Sequence, residues 1–244
     1  MDMLRGLRQG LVDLVYPKVC ILCRKSLKNT ASIDDIVCLD CWTKAKKNTP
    51  PFCTSCGRHL EKKNFAKNIC PGCARKKLHF DRAFSPYLYD GVIKEMIHQF
   101  KYQGKEHLSK TLAQPMCDFI KEYSLPLEYL DCIIPVPLDN TKLREREFNQ
   151  AQVLSEHIGE EFYIEVLPDC LRRTRTTRSQ TELDIKDRLK NVEGCFSLKE
   201  GYSLKGKNIL LVDDVLTTGS TASEATRAIK ESACGFVFVL TLAN

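Results

Sequence analysis

Residues 208–231 read NILLVDDVLTTGSTASEATRAIKE. An apolar run, Ile209 to Val212, meets two adjacent carboxylates, Asp213 and Asp214, then a hydroxyl-rich loop and a helical pattern. An open parallel sheet builds a phosphate site in this way, with the ligand at the carboxyl end of a strand and the following helix N-terminus behind it. Loop amides can donate to a phosphate, and the hydroxyls of Thr217, Thr218, Ser220 and Thr221 add further donors. Gly219 allows close backbone approach. The two acids face the sugar, where carboxylates accept hydrogen bonds from paired hydroxyls. A Walker B reading of LLVDD would need a Walker A loop. The nearest candidate, GYSLKGKN at 201–208, has Asn208 where Ser or Thr should hold magnesium, and it precedes a strand instead of following one.

Outward from this stretch, the chain from Phe80 alternates strand-like and helix-like runs. RAFSPYLYD is followed by GVIKEMIHQFKYQGK and LDCIIPVPL, then by a helical pattern at 149–157 and a final apolar run, GFVFVLTLA. Such alternation predicts an α/β domain with a buried parallel sheet. A helix is expected over 220–231 and a strand over 208–212.

Before residue 80 the texture differs. Four CxxC pairs, Cys20/Cys23, Cys38/Cys41, Cys53/Cys56 and Cys70/Cys73, alternate with Lys-rich segments. Each pair places two sulfurs on one turn, half of a tetrahedral site. Two turns complete a structural tetrathiolate that replaces the core so short a segment cannot build. Adjacent pairing, with the first four cysteines on one zinc and the last four on another, fits the short intervening segments, and a cross-braced pairing is the alternative. His59 and His79 read as bystanders. Cys117, Cys132, Cys170, Cys195 and Cys234 lack partner spacing and read as small buried hydrophobes. The expected organisation is an N-terminal helix with a double zinc ribbon at 1–79 and an α/β domain at 80–244.

The net charge of +6 is uneven: 1–79 carries 16 Lys/Arg against 6 Asp/Glu, and the remainder 21 against 25. A basic cysteine-rich part attracts polyanions even after two tetrathiolate zincs. The opening MDMLRGLRQGLVDLVYPKVC has Leu4, Leu7, Leu11 and Leu14 at helical spacing and no secretory pattern. A cytoplasmic location is expected, and a reducing compartment favours zinc over disulfides. No apolar run approaches the roughly 18 residues needed to cross a bilayer.

VDDVLTTGST resembles the phosphoribosyl pyrophosphate signature of the type I phosphoribosyltransferases. The resemblance implies a twisted parallel sheet flanked by helices, and a ribose 5-phosphate site at Asp213, Asp214, Val215, Leu216, Thr217, Thr218, Gly219, Ser220 and Thr221. It also implies a magnesium ion held mainly by the ligand's own oxygens. By the same resemblance Pro135 to Leu138 takes the pyrophosphate, with Val136 and Leu138 as amide donors because Pro135 and Pro137 have none. Lys101 and Arg144 are candidate cations for that group, and Lys142 and Arg146 stand close by. Residues 171–189, LRRTRTTRSQTELDIKDRL, correspond to the loop that closes over the ligand in these enzymes.

The whole order of motifs is similar to the ComF family of competence proteins, in particular the ComFC type, which pair a double zinc ribbon with this transferase fold. The carriers are LVDLVYPKVC, the cysteine pairs, IHQFKYQGK, IIPVPL, KLREREFNQ, RSQTEL, RLKNVEGCF and VDDVLTTGST. Two positions depart from the family pattern: Asp139 where His is usual, and Glu147 where Gly is usual. The resemblance implies DNA uptake in natural transformation, with phosphoribosyl pyrophosphate, single-stranded DNA and proteins of the uptake machinery as partners. An active phosphoribosyltransferase on an unidentified acceptor is the main rival, and a zinc-ribbon adaptor on an inactive scaffold is the third. No general base announces itself.

Overall fold

The structure, a computed structural model, describes residues 17–61, 68–102, 106–174 and 193–244. Its strands are β1 (Ser32–Ile33), β2 (Val37–Cys38), β3 (Arg82–Phe84), β4 (Cys132–Pro135), β5 (Leu171–Arg173), β6 (Phe196–Leu198), β7 (Ile209–Val215) and β8 (Val237–Ala243). Its α-helices are α1 (Leu39–Trp42), α2 (Pro71–Ala74), α3 (Gly91–Tyr102), α4 (Ser109–Glu122), α5 (Asn140–Arg146), α6 (Gln150–Phe162) and α7 (Ser220–Lys230). The leucines of the opening stretch and most of the Thr/Arg-rich segment, from Arg175 on, lie outside the described residues. No helix among the described residues is long and apolar enough to cross a membrane.

Four strands form a wholly parallel sheet in the order β3-β8-β7-β4. Strands buried on both faces must be largely apolar, which ILLV of β7 satisfies and VFVLTLA of β8 satisfies except at Thr241, whose buried hydroxyl is paired with Ser85 at 2.6 Å. One face packs against α3, α4 and α6 through Met96, Phe100, Met116 and Leu154, all fully buried, and the other against α7 through Ala225 and Ile229. β7 runs three residues beyond the expected Val212. Asp213 and Val215 pair in register with Thr241 and Ala243 of β8, so the sheet itself holds the acidic tip. The helix expected from 149 starts one residue later, because Asn149 caps it by accepting from the Ala151 N–H at 3.2 Å, and it continues to Phe162.

The cysteine-rich residues share their core with the α/β part. Cys20, Leu27, Val37 and Cys38 belong to the same buried cluster as Ile93, Phe100 and Leu112. Polar seams reinforce the contact: Thr111 donates to Asp34 at 2.7 Å, and Gln99 donates to the Ile21 carbonyl at 3.2 Å. Asn48, 2% exposed, donates to the carbonyls of Gly57 (2.8 Å) and Ser85 (2.9 Å) and accepts from the His59 N–H at 2.9 Å. Its amide thus stitches the second ribbon to the chain leaving β3.

Candidate functional site

The two cysteine groups are built alike. In the first, the Cys20 N–H donates to the Lys25 carbonyl and the Arg24 N–H to Cys20; in the second, Cys53 donates to Arg58 and Gly57 to Cys53. Each knuckle closes with a left-handed residue, Arg24 at φ 63° and Gly57 at φ 69°. The second half of each group sits at the start of a one-turn helix, Cys38 before α1 and Cys70 before α2. Cys20, Cys23, Cys38 and Cys41 bring their sulfurs within 4.8 Å of one another, and so do Cys53, Cys56, Cys70 and Cys73. The adjacent pairing is therefore the one the fold adopts.

These donor sets fit zinc. Four thiolates at about 2.3 Å from a tetrahedral zinc stand about 3.8 Å apart. The Cys23–Cys38 and Cys56–Cys70 sulfurs are 3.7 Å apart in each case. Backbone N–H groups of Cys38 and Cys70 point at the Cys20 and Cys53 sulfurs, at 3.5 and 3.3 Å, as thiolate charge requires. Burial first and neighbouring thiols second push the Cys41 thiol up to about 12, and the Cys73 thiol is held at about 12 foremost by its contact with Cys53. Such crowding opposes four thiolates unless a cation offsets it, and a divalent metal does so. These are two zinc-binding sites of four cysteines each. His59 bonds the Thr49 carbonyl and His79 the Ser223 hydroxyl, and neither belongs to a group. Cys117, Cys132, Cys170 and Cys195 are buried, whereas Cys234 is only half-buried in the turn before β8, a departure from the expected burial.

At the carboxyl ends of β7 and β4 lies a cleft of about 630 Å³. Asp213, Asp214, Val215, Thr217 and Thr221 are part of its lining, as are Val136, Pro137 and Leu138 and the cations Lys101, Lys142, Arg146 and Arg173. Asp214, 7% exposed, receives Lys101 of α3 at 2.7 Å. Burial first, and then the Asp214 charge, raise the Asp213 carboxyl to about 7. The loop is set by its own hydroxyls: Thr218 and Ser220 share a hydrogen bond of 2.7 Å, and Gly219 enters α7 at φ 75°, a conformation that favours glycine. Thr218 and Gly219 face the second ribbon rather than the cleft, and Leu216 is buried.

The cleft is electropositive opposite the acids. Burial foremost depresses Lys142, and Arg173 next to it adds repulsion; burial likewise works against the charge of Arg173. Arg146 lies over the Tyr102 ring, 5.2 Å from its centre, and donates to Gln150 at 3.2 Å. Cations held so close favour an anion between them. Two expected pyrophosphate contacts are placed otherwise. Arg144 is exposed and does not line the cleft, because helical spacing turns Lys142 and Arg146 of α5 inward together and Arg144 away. The Val136 N–H donates to the Val212 carbonyl at 2.9 Å, so the sheet uses it, while Leu138 remains at the cleft wall.

Both departures from the family pattern have structural places. Asp139 caps α5, accepting from the N–H groups of Thr141 (3.1 Å) and Lys142 (3.0 Å). Glu147 ends it at φ 68°, where glycine is the unstrained choice. The sequence reading did not find the aromatic wall of Tyr89, His98 and Tyr102. His98 and Tyr102 are part of the amphipathic pattern of α3 and Tyr89 precedes it, and only their position above the cleft distinguishes them.

Residues 11–74 match the double zinc ribbon domain family. The chain is 28% identical to competence protein F of Haemophilus influenzae, over 87% of this chain and 90% of that protein. It is 26% identical to competence protein ComFC of Bacillus subtilis (89% and 90% covered) and 26% identical to DNA utilization protein YhgH of Escherichia coli (94% and 98% covered). Among solved structures, adenine phosphoribosyltransferase from Leishmania donovani is similar at 15% identity and a TM-score of 0.33, over 55% of this chain and 65% of that one. With two four-cysteine ribbons folded against a parallel sheet, the chain carries a double zinc ribbon preceding an α/β unit, and over most of its length it is similar to competence protein F, competence protein ComFC and DNA utilization protein YhgH.

Proposed function

We propose that the cleft binds a 5-phosphorylated ribose, with phosphoribosyl pyrophosphate and magnesium as the best fit, and that the protein serves DNA uptake by engaging single-stranded DNA. The observation that carries this reading is the cleft's division of charge. Two adjacent carboxylates, at the tip of β7, share the cleft with Lys142, Arg146 and Arg173, while Lys101 pairs with Asp214 at 2.7 Å. Acids accept from sugar hydroxyls, and cations neutralise a pyrophosphate on the anomeric carbon. Thr217 and Thr221, the loop residues on the cleft side, are the donors to the 5-phosphate at the N-terminus of an eleven-residue helix.

Magnesium would be held by the ligand's oxygens with Asp213 or Asp214 near it, and when bound it would neutralise pyrophosphate charge. The role in DNA uptake follows the competence and DNA-utilization names of the relatives, and the basic composition of 1–79 supplies the attraction for a polyanion. Calorimetry with phosphoribosyl pyrophosphate and magnesium tests the site. Binding should be seen with the wild-type chain and be lost in the Asp213→Asn, Asp214→Asn double variant. Equal affinity in both proteins removes the reading. A pyrophosphate-release assay on the same samples, across a panel of acceptors, separates a binder from an active transferase.

A further inference from the structure

A groove of about 340 Å³ is lined by α4, the first ribbon and the connector to the second, and no cysteine of either zinc site is among its walls. Along α4 its lining follows helical spacing in two stripes, a buried one of Thr111, Pro115 and Phe119 and an exposed one of Lys110, Gln114, Asp118 and Glu122. From Lys110 to Glu122 the helix measures about 18 Å, the span of roughly five or six residues of extended peptide.

Another part of the lining is a strand edge. β3 is the outer strand of the parallel sheet, and the chain beyond it prolongs that edge, with Tyr87 paired to Ala243 of β8. The connector pairs with this extension. Lys47 stands opposite Tyr87 in an antiparallel bridge, the Asn48 N–H donates to the Pro86 carbonyl at 2.8 Å, and the Leu88 N–H donates to the Lys46 carbonyl at 2.9 Å. In an antiparallel ladder the residue between two such bonds turns its own N–H and C=O to the far side. Lys47 is that residue, it is exposed, and among the described residues neither its N–H nor its C=O has a hydrogen-bond partner. Lys47, Asn48 and Thr49 all line the groove. An open edge of this kind is a template for one more strand, and proteins generally cover it.

Aromatic rings supply the apolar part of the lining. Tyr87 and Phe119 are buried, Trp42 meets Tyr87 edge-on with ring centres 6.0 Å apart, and Tyr123 lies 4.6 Å from Phe119. The groove's cations, Lys47 and Lys110, belong to the edge and to the first turn of α4. Its acids gather at the other end of that helix, where Asp118 and Glu122 are exposed and the helix's own C-terminal partial charge adds to theirs. Lys121 beside them is paired with Glu161 and does not line the groove. The Asp118 charge reaches the rings: after burial, it is what pushes the Tyr87 hydroxyl up.

A groove shared by an open strand edge and a helix takes an extended peptide by strand addition, in which main-chain bonds hold the peptide and alternate side chains are read separately. We infer that this groove docks an extended, basic segment of a partner protein. Its main chain pairs with Lys47, its apolar side chains rest on Trp42, Phe119 and Tyr123, and its alternate Arg or Lys side chains face Asp118 and Glu122. The inference stands independently of the phosphorylated-ribose reading.

The probe is the acetylated, amidated peptide Val-Arg-Val-Arg-Phe-Arg, titrated into the full, zinc-loaded chain, with the fluorescence of Trp42, the chain's one tryptophan, as the readout. Binding should shift that emission and weaken with added salt, and the same peptide with Glu for each Arg should bind at least tenfold more weakly. Two backbone N-methylated versions, at the odd and at the even positions, isolate strand addition, because only alternate N–H groups face the edge. One should lose at least tenfold in affinity and the other less than threefold. Asp118→Lys with Glu122→Lys should reverse the preference toward the Glu peptide while zinc stays at two per chain. Equal behaviour of the two methylated peptides, or an unchanged preference in the charge-reversed variant, overturns the inference, as does a Trp42 signal that no peptide moves. So does an equal signal from N-acetyl-argininamide, which makes the space a small-cation pocket, or a dimer in sedimentation that the peptide dissociates, which gives the groove to a second copy.

Discussion

Lys101 of α3 and Asp214 of β7 form an ion pair of 2.7 Å, with side chains only 16% and 10% exposed. They come from opposite ends of the α/β part, and their contact ties the first long helix to the acidic tip of the sheet. Breaking a buried pair from one side strands the other charge, at about 3–5 kcal/mol. Lys101→Met should therefore lower stability in urea by about 3 kcal/mol, whereas Lys101→Met with Asp214→Asn should recover most of that loss. A double variant no more stable than the single one would show that the pair carries no such coupling.

Asp213 gives the same region a pH dependence. Burial and the Asp214 charge raise its carboxyl to about 7, above its unfolded value near 4. Below pH 4 the group is protonated in both states and contributes nothing. As pH climbs from 4 toward 7 the unfolded chain releases the proton while the folded chain keeps it, so stability falls, and the full loss is reached above 7. Asp213→Asn should melt higher than wild type at pH 8 and match it at pH 4. A difference that is the same at both pH values would mean the folded carboxyl is not raised.

Much of this site was readable because its determinants are local. The strand–acid–hydroxyl order of 209–221 is contiguous, and each CxxC pair makes its own half-site, so a single stretch announces the chemistry. What stayed hidden depends on contacts between distant segments. The choice of Lys142 and Arg146 over Arg144 is set by which face of α5 meets the cleft, and the engagement of the Val136 N–H by the register of β4 against β7. The ribbons read as a separate module because nothing in their spacing reveals that Asn48 bonds the Ser85 carbonyl or that Arg58 touches Thr217.

Gly57 shows how tightly the second ribbon is docked. A Cβ there would lie 2.3 Å from the Ala83 carbonyl oxygen of β3, and φ is +69°. Its counterpart in the first ribbon, Arg24, has φ 63° and tolerates a side chain. Gly57→Ala should therefore cost about 2–3 kcal/mol from strain and displaced packing, while Arg24→Gly should stabilise by a few tenths to about 1 kcal/mol. Zinc content should stay at two per chain in both, since no thiolate is touched. Equal stability of Gly57→Ala and wild type in thermal melts would show that the ribbon can move off the sheet edge.

The two arginines of α5 provide the sharpest check on the cleft, since they are two residues apart and alike in chemistry. Arg146 lies over Tyr102 and lines the cleft, while Arg144 is exposed and outside it. A charge-assisted contact to a phosphate is worth about 1.5–3 kcal/mol, a factor of about ten to a hundred in affinity. Arg146→Ala should weaken phosphoribosyl pyrophosphate binding by at least tenfold, and Arg144→Ala by less than twofold. Far-UV circular dichroism and melting of both variants should match the wild type within about 1 kcal/mol, because neither guanidinium is part of the buried apolar core. Should Arg144→Ala prove the more damaging, the anion must approach α5 from its outer face, and the cleft would no longer be the place where the pyrophosphate is held.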